Sequence, residues 1–261
     1  MTAYSFYSGL IVFIFGTCIG SFLNVCIYRI PENRSIVTPG SFCPNCKNSL
    51  PFYCNIPIFS YLFLMGRCKF CHTPISIRYP FVEALTGLFS LLLFLKFGLT
   101  PAMIYWFAFI SVLITISFID LDHQIIPDNI SLPGILIFAS SFYFLPEMTL
   151  KNVLLGILTG GGSLYAIALV YYLVKKQEGM GGGDIKLLAM IGAATGIKGV
   201  AFTIFTGSLF GTISGLLIML STRTADTRLR IPFGPFLSLG AILYIFFGER
   251  LIQWYMTCFV P

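Results

Sequence analysis

Residues 102–128 read AMIYWFAFISVLITISFIDLDHQIIPD, an unbroken apolar run that ends on acids. About 20 apolar residues cross the hydrocarbon core of a bilayer, so 102–119 predicts a transmembrane helix that carries Asp120 to the membrane edge. The rest of the chain repeats this composition. Its 261 residues are 57% hydrophobic, 16% aromatic and only 10% charged, with a mean hydropathy of +0.89. Soluble domains carry about 25% charged residues, so the chain is read as a polytopic membrane protein with the lipid bilayer as its surroundings. A net charge of +6 would suggest nucleic acid in a soluble domain. In a membrane chain the placement of the basic residues decides instead, and no nucleic-acid partner is expected.

Apolar runs of span length or near it fall at 4–27, 80–95, 102–119, 130–145, 152–174, 185–196, 200–220 and 233–255. The fold class expected is all-α, a polytopic membrane helix bundle of about eight transmembrane helices. The run at 185–196 is short for a full span. Basic residues collect after the first run (Arg29, Arg34, Lys47, Arg67, Lys69, Arg78), after the fifth (Lys175, Lys176) and after the seventh (Arg223, Arg228, Arg230). The opposite side holds Lys96, Lys151, Lys198 and Arg250. The positive-inside rule then places both termini outside and these three connections in the cytoplasm. Three parts follow: a first transmembrane helix at 1–28, a cytoplasmic loop at 29–79, and a membrane domain at 80–261.

The loop at 29–79 carries Cys43-Pro-Asn-Cys46 and Cys68-Lys-Phe-Cys71. Two CxxC pairs at this separation present four thiolates on two tight turns, which suits structural zinc in a closed tetrahedral site. A redox dithiol is the lesser alternative, because a cytoplasmic loop is kept reduced. The segment has too small an apolar core to fold unaided, so metal is expected to supply much of its stability. Cys54, Cys18, Cys26 and Cys258 have no ligand spacing.

Acids at membrane depth are costly and are candidates for function. Asp120, Asp122 and Asp128 lie after the third run, and Asp184 follows a glycine run in GMGGGDIKLL, 179–188. The assigned topology puts both groups on the cytoplasmic side at one depth. Asp128, after Pro127, reads as a helix cap, and Asp122 with His123 as a solvated turn. The glycines do not match a phosphate loop, since no strand precedes them and an acid stands where phosphate would sit. Paired-acid hydrolysis fits better. Two carboxylates brought together share one proton; the ionised one activates water and the other polarises a carbonyl. Gly181 and Gly183 would allow close approach to a substrate backbone and positive φ, and Lys186 would favour ionised Asp184. A proton-coupled carrier and a CxxC thiol oxidoreductase are the alternatives from other functional classes.

Five blocks, GSFLNVCIYRIP (20–31), NIPIFSYLFLMGRCKFC (55–71), IRYPFVEALTG (77–87), FIDLDHQIIPD (118–128) and GMGGGDIKLLAMIGA (179–193), together resemble the bacterial type IV prepilin peptidases, also called leader peptidase/N-methyltransferases. The resemblance implies a GxGD-type aspartic peptidase of the inner membrane that faces the cytoplasm. Such enzymes cut the leader from prepilins or type II secretion pseudopilins and methylate the new N-terminus from S-adenosylmethionine. Asp120 and Asp184 correspond to the catalytic pair, with Asp122 and Asp128 supporting. Cys43, Cys46, Cys68 and Cys71 correspond to the zinc ligands. Glu83 falls in a region linked to methyltransferase activity, although no Rossmann pattern is present. PFYCNIP departs from many relatives at Phe52 and Cys54. Gly156 with Gly160, and Gly207, Gly211 and Gly215, recur at helix-packing spacing.

Overall fold

The computed structural model describes residues 3–177, 181–222 and 232–259. Arg223, Arg228 and Arg230, and Gly179 of the glycine run, lie outside the described residues. Every regular element among those described is helical, and they gather into two compact units, 1–115 and 116–261. Six helical runs are long and apolar enough to cross a membrane: Phe6–Arg29, Arg78–Phe97, Pro101–His123, Leu150–Lys175, Gly182–Ser221 and Gly234–Cys258.

In the first unit, α1 (Ala3–Arg29) packs antiparallel against α3 (Arg78–Phe97). Small residues make the seam: Gly16 faces Gly87 and Ser90, and Gly20 faces Glu83 and Thr86. With no hydrophobic force between helices in lipid, such close backbone approach and its dispersion contacts hold the pair. The Ser90 hydroxyl donates across the seam to the Val12 carbonyl at 2.9 Å. Between the helices runs the cysteine-rich segment, with one 3₁₀ turn, Phe52–Asn55, and the short α2, Phe59–Phe63. The helix α4, Pro101–His123, begins in this unit and ends in the second.

The second unit departs from the expected span pattern in an instructive way. The fourth expected span, 130–145, forms α5 (Asp128–Phe138) and a four-residue α6 (Ser141–Phe144) rather than one long helix. The sixth and seventh expected spans form one helical run, α8, Gly182–Thr222, interrupted at Gly196, where φ is 69° and ψ is −171°. Only glycine takes that conformation without strain. Contacts along α8 give its course. Lys186 meets Asp128, Met190 meets Gly134, and Ala193 meets Ser141, so 128–141 descends in parallel beside 184–193. The following α7, Leu150–Lys175, returns antiparallel to it, with Gly156 against Gly192 and Gly160 against Leu188.

Past Gly196 the run comes back. Thr203 meets Gly240, Gly207 meets Phe236, and Gly211 meets Phe233, so α9 (Gly234–Leu243) lies antiparallel to 203–211. A straight helix would separate residues 184 and 211 by about 40 Å at ~1.5 Å per residue. Both ends instead lie near the end of α4, so α8 folds back at Gly196. After α9, a π turn, Tyr244–Gly248, leads into α10, Glu249–Phe259.

Gly156 and Gly160 therefore act in helix packing, as their spacing suggests. Gly211 differs. It borders a cavity of about 300 Å³ lined by Ser208, Thr212, Phe233 and Phe236.

A side chain at Gly156 would collide with the Gly192 carbonyl. Gly156→Leu is expected to destabilise the second unit by about 1–3 kcal/mol or more, through overpacking. Gly162→Leu, whose added Cβ meets nothing within 4 Å, should leave the melting temperature unchanged. Thermal unfolding of the two variants in detergent checks the contrast.

Candidate active site

Asp120 stands three residues before the end of α4, and its backbone carbonyl accepts from the Gln124 N–H at 2.9 Å as the chain turns. Its side chain is 5% exposed. Burying a carboxylate is costly unless it receives hydrogen bonds. The Gly234 N–H, at the start of α9, donates to Asp120 Oδ2 at 2.9 Å. A Cβ on Gly234 would stand 2.7 Å from that oxygen, so only glycine permits the contact. Gly234 was not among the residues singled out from sequence. The signal available was the Gly-Pro pair in IPFGPFL, where proline opens a helix and the preceding N–H groups are free to point at an anion.

Asp184 comes from the other side of the unit, in the first turn of α8. It is half-buried and close enough to Asp120 for the two carboxylates to repel each other. The glycines before it work differently from the expectation. Helix begins at Gly182, and neither Gly182 nor Gly183 has a positive φ. Gly183 instead lets α8 press on the chain after α4: a Cβ there would stand 2.8 Å from Ile126 Cβ. Ile126 Cδ1 in turn lies 3.3 Å from the Cβ position of Gly234. One isoleucine is thus wedged between the segments that carry Asp184 and the Asp120 donor.

Two supporting roles need correction. Asp128 does not cap α5; Pro127 occupies the cap position and no side-chain cap bond forms. Lys186 does not serve Asp184, because residues two apart point to different faces of a helix. The two instead meet each other, with Lys186 Nζ 2.6 Å from Asp128 Oδ1. This pair ties the start of α8 to the start of α5, close beneath the two acids in sequence. Asp122 is exposed on the last turn of α4.

In the first unit, the two CxxC pairs form matching turns. Lys47 N–H bonds the Cys43 carbonyl and His72 N–H bonds the Cys68 carbonyl, at 2.8 and 3.0 Å, with Lys47 and His72 both at positive φ. Short antiparallel bridges, Phe42 with Ser49 and Arg67 with Pro74, close each turn. The four sulfurs of Cys43, Cys46, Cys68 and Cys71 all lie within 4.8 Å of one another, a cluster suited to one metal ion. The Thr73 hydroxyl, 3.2 Å from Cys71 Sγ, with the Thr73 N–H and the Asn45 amide, holds the Cys71 thiol down at about 5. That thiol is therefore a thiolate at neutral pH, ready to ligate. Cys54 lies outside this cluster.

Two buried charges anchor the segment. Arg29, 6% exposed, donates to the Ser35 and Gly40 carbonyls at 3.0 and 3.1 Å. Glu83, 8% exposed, accepts from the Ile58 N–H at 2.7 Å. Arg29 was counted from sequence only as a basic loop residue. Its place at the end of an apolar helix, YRIP, was the signal for a helix-terminal anchor.

Residues 14–97 match the model of the bacterial peptidase A24 N-terminal domain, and residues 107–216 match that of the type IV leader peptidase family. A prepilin leader peptidase/N-methyltransferase of Legionella pneumophila is 35% identical over 97% of this chain and 96% of its own length. One from Neisseria gonorrhoeae is 35% identical over 94% of this chain and 93% of its own. One from Myxococcus xanthus is 38% identical over 83% of this chain and 65% of its own. No solved structure matches. With both of its parts matched by these models, and near full-length likeness to such relatives, the chain belongs to the type IV leader peptidase family.

Proposed function

We propose that the chain is a membrane aspartic peptidase that removes the leader of prepilins or pseudopilins and then methylates the N-terminus it exposes. The observation that supports the peptidase half is that Asp120 and Asp184, far apart in sequence, stand near enough for their carboxylates to repel each other. The pair holds one proton between its two carboxyl groups. The ionised acid draws a proton from water, whose oxygen attacks the scissile carbonyl, and the protonated acid donates to the carbonyl oxygen. Gly234 N–H fixes the rotamer of Asp120 and supplies part of the hydrogen bonding that burial would otherwise deny it. The opening beside Gly211, next to Phe233, is the place where the apolar helix of a substrate would lie.

The substrate class rests on the names of the relatives and on the family resemblance. The cytoplasmic orientation rests on the basic residues of the connections, and the inner membrane on the same resemblance. The four cysteines fit structural zinc, since four thiolates leave no open coordination position for catalysis. S-adenosylmethionine is the proposed methyl donor; the chemistry it supplies is an electrophilic carbon for the α-amine lone pair, the C–S pair leaving with sulfur and the amine proton passing to solvent. The Cys-rich segment and the helices it joins, 1–97, are assigned to methyl transfer, and 116–261 to hydrolysis.

Purified full-length protein incubated with a prepilin and S-adenosylmethionine should yield, by mass spectrometry, a mature chain carrying one added methyl. Asp120→Asn and Asp184→Asn should each abolish leader removal while the protein still accumulates in the membrane; processing at the wild-type rate by either variant sinks the assignment. Gly234→Ala, which pushes a methyl against Asp120, is expected to lower kcat at least tenfold with a smaller change in KM.

Zinc should be retained at neutral pH. On acidification protons compete with the metal for the four thiolates, so release follows. Thr73→Val removes the hydroxyl that holds the Cys71 thiol down. Release should then move to higher pH, with affinity reduced about tenfold, within the range for outer-shell partners. A chromogenic chelator titrated against pH measures both.

A further inference from the structure

Where α1 and α3 pass into the cysteine-rich segment, they and the segment enclose a cavity of about 580 Å³. Small-molecule sites span about 300–1,000 Å³, so this is room for one nucleoside-sized ligand. Its wall mixes polar and apolar side chains, includes the rings of Phe22, Tyr28, Tyr61 and Tyr79, and carries one acid, Glu83. Gly20 allows this arrangement, since a Cβ there would stand 2.7 Å from Glu83 Cα and force the helices apart.

Glu83 is a costly group to keep in this place. It is 8% exposed and makes no ion pair among the described residues. The buried cation on the same wall, Arg29, is committed to the Ser35 and Gly40 carbonyls. Lys69 is committed to Tyr53, both by a hydrogen bond and over its ring. A carboxylate offers about four lone-pair positions. Ile58 N–H and the Ser21 hydroxyl take two. Ile58 adopts φ 63° and ψ −52° to make its contact, a conformation a β-branched residue resists. The protein thus accepts backbone strain to orient an acid without giving it a counter-ion. A buried acid without a counter-ion, on the wall of a cavity that also carries aromatic rings, is the arrangement that receives a ligand cation, by charge and by cation–π attraction.

We propose that this cavity binds the sulfonium methyl donor, with Glu83 opposite its positive sulfur and the tyrosine and phenylalanine faces around it. The proposal rests on the methyl-transfer reading above. That reaction also involves a second onium cation, the ammonium of the newly cut chain, and the test separates the two.

The full-length protein in detergent is dialysed against radiolabelled S-adenosylmethionine, and separately against S-adenosylhomocysteine, which has the same skeleton but a neutral sulfur. Glu83→Gln is expected to raise Kd for the sulfonium at least tenfold and for the neutral thioether less than threefold. Ser60→Trp, which fills the cavity from α2, should abolish binding of both while zinc content and melting temperature hold. A short peptide beginning with a free phenylalanine amine is the third ligand. Wild-type affinity of Glu83→Gln for the sulfonium, equal loss of both adenosyl ligands, or unaltered donor binding by Ser60→Trp would each overturn the site. So would a Glu83→Gln effect confined to the peptide amine. A wild-type protein that neither binds the donor nor adds a methyl sinks the methyl-transfer reading itself. Methylation with donor binding insensitive to both variants sinks only this cavity.

Discussion

A carboxylate at the end of an apolar helix, almost sealed from water, must be given a donor, and the second unit is organised around doing so for Asp120. The donor is a backbone N–H at Gly234, which approaches only because that residue has no side chain. To bring Gly234 there, α9 must lie along the returning half of α8, and α8 must reverse at Gly196. That reversal also fixes where the first half of α8 begins, and hence where Asp184 stands. Ile126, lodged against Gly183 and near Gly234, couples the two placements. Loosening any of these contacts would leave a buried charge with less hydrogen bonding, a cost on the order of 1–3 kcal/mol or more.

Hydrocarbon surroundings explain the manner of packing. With lipid tails as apolar as leucine, helices gain little by hiding apolar faces from one another. The close contacts are accordingly made by small residues, Gly16 with Gly87 in the first unit and Gly156 with Gly192 in the second. Serine and threonine hydroxyls return to backbone carbonyls, as Ser141 does to Ala193 at 3.0 Å. Large apolar side chains are left on the outside, where a bilayer would cover them.

The cysteine-rich segment meets a different problem, since it has almost no apolar core. Its order comes from two matching turns that gather four sulfurs, and from two buried charges at the helix ends, Arg29 and Glu83. The same residues wall the cavity, so folding of the segment and formation of the pocket are one event. Metal binding would contribute to both.

The sequence by itself determined what is local or compositional. The apolar runs state the helices and the membrane, the two CxxC pairs state a four-sulfur cluster, and an acid directly after an apolar run marks Asp120. Each is legible because hydropathy, spacing and burial cost act over a few neighbouring residues. The tertiary structure decided what depends on direction around a helix or on contact at long range. Lys186 turns to Asp128, 58 residues away, and not to Asp184, two residues away, because helical geometry separates residues two apart. Gly183 serves close packing against Ile126 rather than an unusual backbone, and Gly196 is the glycine that takes positive φ in α8. The 130–145 run forms two short helices, Asp128–Phe138 and Ser141–Phe144, with Ala139 and Ser140 between them. Gly234 and the cavity at Glu83 were beyond the reach of sequence, since each exists only where segments distant along the chain come within a few ångströms.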